Sequence, residues 1–117
     1  MLKGFVPGKI YLVTGFTDLR KGIDGLAGII QEQFQLDLFE DTLFLFCGRR
    51  NDRVKGLYWD LNGFLLLYKR LESGRFRWPR SVQEARQITI QQYEWLCQGF
   101  EIEARNKPVN TEGLKFS

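Results

Sequence analysis

VKGLYWDLNGFLLLYKRLE, Val54 to Glu72, is the stretch that decides the class of fold. Two runs rich in aromatic and aliphatic residues flank Asn62-Gly63, the strongest short-range signal for two antiparallel strands joined by a tight turn. A two-residue turn at Asn62-Gly63 sets Leu61 opposite Phe64, Trp59 opposite Leu66, Leu57 opposite Tyr68, Lys55 opposite Arg70 and Arg53 opposite Glu72. Near the turn both faces of this hairpin are apolar; far from it one face becomes cationic. Like charges directly across a ladder destabilise it, so Lys55 facing Arg70 is a conflict that a bound anion would relieve.

Upstream, TLFLFCG (Thr42–Gly48) is apolar on both faces, as a strand in the middle of a sheet must be. Its exit is abruptly basic, with Arg49, Arg50, Arg53 and Lys55 in quick succession. Before it, KIYLVTG (Lys9–Gly15) reads as a first strand ending at a glycine. Thr17 then fits a helix N-cap with Asp18 in the first turn, and the helix is predicted to run to about Phe34. Leu19, Ile23, Leu26, Ala27, Ile30 and Phe34 give it one apolar face. Gly22, Gly25 and Gly28 lower its propensity, which predicts close backbone packing there. They lie within the helix rather than in a strand-to-helix turn, so they are no dinucleotide fingerprint.

Downstream, GRFRWPR (Gly74–Arg80) alternates, with Phe76 and Trp78 on one side and Arg75 and Arg77 on the other, until Pro79. SVQEARQ reads as loop. A second helix is predicted from an N-cap at Thr89 to Gln98, with Gly99 at C′ and Ile90, Tyr93, Leu96 and Cys97 on its apolar face. FEIE suggests a short last strand. Residues 1–104 therefore form a single α+β domain: a mainly antiparallel or mixed sheet containing an Asn-Gly hairpin, covered by two helices. Residues 105–117 are polar and expected to be a mobile tail.

The charge is segregated. Between Cys47 and Arg80 nine cations against three anions leave +6, whereas the rest of the chain carries −3. That asymmetry is the footprint of an anion-binding surface. The candidate contacts are Arg49, Arg50, Arg53, Lys55, Lys69, Arg70, Arg75, Arg77 and Arg80. Tyr58, Trp59, Tyr68 and Trp78 read first as packing residues and second as rings on which unpaired bases stack. Catalytic machinery is sparse. There is no histidine, Asp18 and Asp24 point away from one another on a helix, and Cys47 has no base beside it. No metal site and no cofactor are expected, and the protein is read as a non-enzyme. Cys47 and Cys97 read as buried free thiols. No signal peptide or membrane-spanning run is visible, and the cytoplasm is the expected location.

The stretches TDLRKGIDGLAGIIQEQF (Thr17–Phe34), LFLFCGRRNDRVKGLYWDLNGFLLLYKRLESGRFRWPR (Leu43–Arg80) and WLCQGFEI (Trp95–Ile102) resemble a known family. It is the TnpB-type accessory protein, product of the second open reading frame, of bacterial insertion sequences of type sixty-six. The resemblance spans about Ile10 to Ile102 and implies a non-catalytic role beside a separate transposase. It supplies no catalytic residue. One departure is Leu61, where relatives carry glycine or a polar residue; it makes the hairpin tip more apolar and suits a protein contact. Two functions follow as expectations: binding of DNA at the element's ends through the basic surface, or a protein-interaction module that binds or stabilises the element-encoded transposase without contacting DNA.

Overall fold

In the computed structural model, which describes residues 3–103, six consecutive buried residues form the central strand of a five-stranded sheet. In chain order the elements are β1 (Lys9–Val13), α1 (Ile23–Gly28), β2 (Thr42–Cys47), β3 (Arg53–Asp60), β4 (Gly63–Arg70), β5 (Ala85–Ile88) and α2 (Ile90–Cys97). The strand order is β4-β3-β2-β1-β5. β1 and β2 are parallel, as strands joined by a helical crossover can be, and every other neighbour is antiparallel.

Alternation along the strands builds two cores. Ile10, Leu12, Leu43, Leu45 and Val54 face Phe76, Trp78 and Leu96, so α2 and the extended 75–80 segment cover one side of the sheet. Val13, Phe44, Phe46 and Leu57 face Leu26 and Ile30 of the first helical segment on the other. The extended segment follows the predicted alternation: Phe76 and Trp78 are buried, Arg75 and Arg77 exposed. It is not a strand of the sheet; the Trp78 indole is anchored by donating to the Val13 carbonyl at 3.0 Å.

Several expectations need correction. The hairpin turn is Leu61-Asn62, not Asn62-Gly63: Asp60 pairs with Gly63, and the Asn62 amide donates to the Asp60 carbonyl with Leu61 at φ 58°. The ladder is thereby shifted by two residues from the one expected. A shift of two preserves every side chain's face, so the core assignment survives. The pairs change, however: Trp59 meets Phe64, Lys55 meets Tyr68 and Arg53 meets Arg70.

The first helix begins at Ile23 rather than at Thr17. Asp18 accepts the backbone amide of Arg20 at 3.0 Å and stabilises a turn instead. After Gly28 the helix widens into a π-helical turn over Ile29–Gln33 and stops where Gln35 takes φ 56°. Close packing does not explain Gly22 or Gly28, since a Cβ on Gly22 would meet nothing within 4 Å and one on Gly28 nothing nearer than 3.9 Å; only Gly25 is crowded, by the Lys21 side chain at 3.0 Å from such a Cβ. SVQEARQ is only partly loop, because Ala85–Ile88 pairs with β1. FEIE is not a strand; Ile102 and Glu103 are helical. The second helix is as expected, with Thr89 and Gln92 closing a capping box and Gly99 at φ 87°. Its predicted apolar face is only partly used, since Leu96 is buried but Ile90 is exposed. The expected tail, 105–117, lies outside the described residues.

One side chain ties the loops at the end of the sheet where β1 and β2 finish. Arg80 donates to the carbonyls of Gly15 and Gly48, each at 2.5 Å, and to the Asn51 side chain. Its guanidinium also lies 4.3 Å from the centre of the Phe16 ring.

Three substitutions test this packing. Gly28 has helical dihedrals and open space around it, so Gly28→Ala raises unfolding free energy by about 0.5–1 kcal/mol. A Cβ on Gly56 would sit 3.1 Å from Leu43 Cδ1, inside the core, so Gly56→Ala lowers stability by about 1 kcal/mol. Arg80→Lys removes the planar fork and lowers stability by about 2 kcal/mol. Urea denaturation followed by circular dichroism measures all three, and opposite signs for the two glycines are the decisive result.

Candidate nucleic-acid interface

The C-terminal ends of β1, β2 and β4 and the N-terminal ends of β3 and β5 lie together at one end of the sheet. The loops that leave this end carry Phe16 to Arg20 and Gly48 to Asp52, and between them is a groove. Its cations are Arg20, Arg49, Arg50 and Arg53; Phe16 and Tyr68 are its exposed rings. Backbone bonds fix the loops: the Gly15 amide donates to the Pro79 carbonyl and the Thr17 amide to the Cys47 carbonyl, at 2.9 and 3.0 Å. The buried Thr17 hydroxyl beside this groove has no hydrogen-bond partner among the described residues.

The charges in the groove are fixed. Arg20 grips Asp18 through Nε and Nη2, at 3.0 and 2.9 Å, and holds that carboxyl well below the usual carboxylate range. Arg53, 3.0 Å from Asp52, lowers that carboxyl through its hydrogen bond, and both guanidinium groups are raised in turn. Arg50 reaches Asp52 only at 3.9 Å. Arg49 has no carboxylate partner among the described residues; its guanidinium lies 5.4 Å from the Phe16 ring centre. Burial pushes the Cys47 thiol up against the opposing pull of Arg80, which keeps it neutral. Both cysteines are free, and among the described residues no group of three or more potential ligands could hold a metal ion. No helix among them is long and apolar enough to cross a membrane.

The nine predicted cations do not form one plateau. Arg49, Arg50 and Arg53 share the groove, and Arg75 borders Arg49 and Arg50 across an adjoining recess. Arg70 lies opposite Arg53 in the ladder but pairs with Glu72 at 3.1 Å. Lys55 is half-buried, its Nζ donating to the Lys21 carbonyl at 3.0 Å. Arg77 is turned toward Glu101, 3.8 Å away, and Lys69 projects on the α2 side beside Phe76 and Tyr93. Arg80 is an internal clamp rather than a free surface cation. Two groove residues, Arg20 and Phe16, were not among the sequence candidates. Arg20 was hidden because Thr17 and Asp18 so closely imitate a helix start.

Of the four rings considered for stacking, only Tyr68 faces the groove. Trp78 is core, and Tyr58 packs against Phe5 and donates to Asp41 at 2.5 Å, a bond that pushes its hydroxyl up to about 12. Trp59 joins Phe39 and Phe64 in an aromatic cluster at the opposite end of the sheet, both contacts at 4.9 Å. Beside that cluster the hairpin tip presents Leu61, which is 89% exposed.

The profile of the family described as IS66 Orf2-like protein matches residues 8–107. Two uncharacterised proteins of Sinorhizobium fredii (strain NBRC 101917 / NGR234) are similar along most of their length. Protein y4hO is 36% identical over 93 residues, 80% of this chain and 81% of its own. Protein y4jC is 30% identical over 102 residues, 86% of this chain and 87% of its own. No solved structure gives a significant match. With the profile spanning nearly the whole described domain and both relatives aligned over four fifths of their length or more, the chain belongs to the IS66 Orf2-like family of insertion-sequence proteins.

Proposed function

We propose that the protein is a non-catalytic accessory factor of transposition that binds DNA through the arginine-lined groove at the end of its sheet. The observation that carries this reading is the convergence of Arg49, Arg50 and Arg53 with Arg20 around one concave surface. Two aspartates offset these charges only in part. Four guanidinium groups on loops and a strand end suit phosphate oxygens, which the planar fork can engage in pairs. Contacts of this kind position a protein on DNA and carry little sequence information. The separation of +6 in the middle of the sequence from −3 elsewhere supports the same reading.

A second reading has its own support at the far end of the sheet. Phe39 is 55% exposed and Leu61 89%, side by side with the Trp59–Phe64 cluster, an apolar surface that suits a protein partner. The partner proposed for it is the element-encoded transposase. The two ends are physically separate, so the two contacts are compatible.

A salt titration of the full chain on duplex from the element's ends tests the first reading. Neutralising about four phosphates gives a log-log slope of about −3.6. Arg49→Glu/Arg50→Glu lowers the magnitude of that slope by roughly two phosphate equivalents. A flat salt response removes the DNA proposal. The second reading is checked by co-purification with transposase after nuclease digestion: Leu61→Asp/Phe39→Asp abolishes it, whereas Arg49→Glu/Arg50→Glu leaves it intact.

A further inference from the structure

We propose that the groove takes unpaired, single-stranded DNA, with Phe16 and Tyr68 as base-stacking platforms between phosphate-binding arginines. This rests on the DNA-binding reading above and specifies its substrate.

Neither helix carries a single lysine or arginine: α1 reads IDGLAG, its π-helical continuation IIQEQ, and α2 IQQYEWLC. Among the described residues no basic helix is therefore offered to a major groove, the usual route by which a helical element reads a duplex. The cations come from loops and a strand end and surround a concavity.

Phe16 is 50% exposed and Tyr68 55%, and both line the groove. An exposed phenylalanine on a loop is ordinarily free to turn inward. At Phe16 the backbone that carries the ring is fixed, because the Gly15 and Thr17 amides on either side are bonded to the Pro79 and Cys47 carbonyls. The guanidinium of Arg80 lies over the Phe16 ring at 4.3 Å from the centre and that of Arg49 over it at 5.4 Å, so a base stacks there by taking the place of the more distant Arg49 guanidinium, which then serves the adjacent phosphate. A ring fixed toward solvent beside cations is pre-organised for a flat, electron-rich partner. Tyr68 enters from the other wall, on β4, opposite Lys55 in the ladder. Successive bases on aromatic faces, with the backbone tracked by arginines, is the general chemistry of single-strand recognition. In a duplex the base faces are already stacked on one another and unavailable to either ring.

The test uses the full chain and two probes of one sequence: a non-self-complementary 20-mer and its duplex, at the same low salt. Wild type is expected to bind the single strand at least about tenfold more tightly than the duplex, the scale of one lost or gained stacking contact. A 2-aminopurine placed in the strand is quenched on binding, a readout that needs no variant. Phe16→Leu/Tyr68→Leu keeps apolar bulk and loses about tenfold on the single strand and the quenching, with its salt slope unchanged; Phe16→Tyr retains both. Circular dichroism confirms that each variant is folded. Duplex bound as tightly as single strand, with no quenching, overturns the stacking proposal and leaves the DNA reading standing. Binding to neither probe overturns both. A single-stranded RNA of the same sequence bound more tightly than the DNA overturns the assignment to DNA.

Discussion

Arg80 places a full positive charge among backbone carbonyls at the end of the sheet. Most partly buried guanidinium groups are neutralised by a carboxylate; this one is satisfied by the carbonyls of Gly15 and Gly48 and by the Asn51 side chain. Those three residues belong to the loop after β1 and the loop after β2, and Arg80 itself closes the extended segment that crosses the α2 side. The planar fork is thus a three-way tie. With the Thr17 amide bonded to the Cys47 carbonyl, it holds Phe16 and Arg49 in register with one another. The geometry of the groove is consequently a product of the fold, and some of its charges, Asp18 with Arg20 above all, also shape the loops that carry it.

That dependence explains what could be read from the sequence. β2 was legible because six consecutive buried positions leave few alternatives to a central strand. α2 was legible because Thr89 and Gln92 form a local cap that needs no tertiary partner. The alternation of Phe76 and Trp78 against Arg75 and Arg77 also survived, since it reflects a single chain crossing a surface. The start of α1 was misread because Asp18 is as good at closing a turn with Arg20 as at opening a helix, and the two arrangements share a signature. The hairpin register was misread by two residues because Leu61 accepts the left-handed conformation that Asn-Gly usually supplies. Arg80 could not be distinguished from its neighbours at all: an internal clamp and a surface contact are the same letter until carbonyls from distant loops are brought to it.

The sheet also divides the molecule's surface chemistry. The strand ends gathered beside Arg49 and Arg53 are polar and cationic; those gathered beside Trp59 and Phe64 are aromatic. A hairpin of two eight-residue strands joins these extremes and carries both, Tyr68 and Arg70 near one end and Leu61 at the other. One short element therefore supplies residues to two surfaces of opposite chemistry, with an entire strand length between them.

The groove's four cations are all arginine, although lysine makes up a good part of the chain's positive charge elsewhere. The ammonium of lysine can be acetylated or, in a desolvated site, lose its proton; a guanidinium escapes both routes. With no histidine in the chain to sense acidity either, this surface has no side chain whose ordinary pKa lies near neutrality. On the DNA-binding reading, occupancy is left to mass action: how much polyanion is nearby, how many mobile ions compete for the same forks, and how much of the protein has been synthesised.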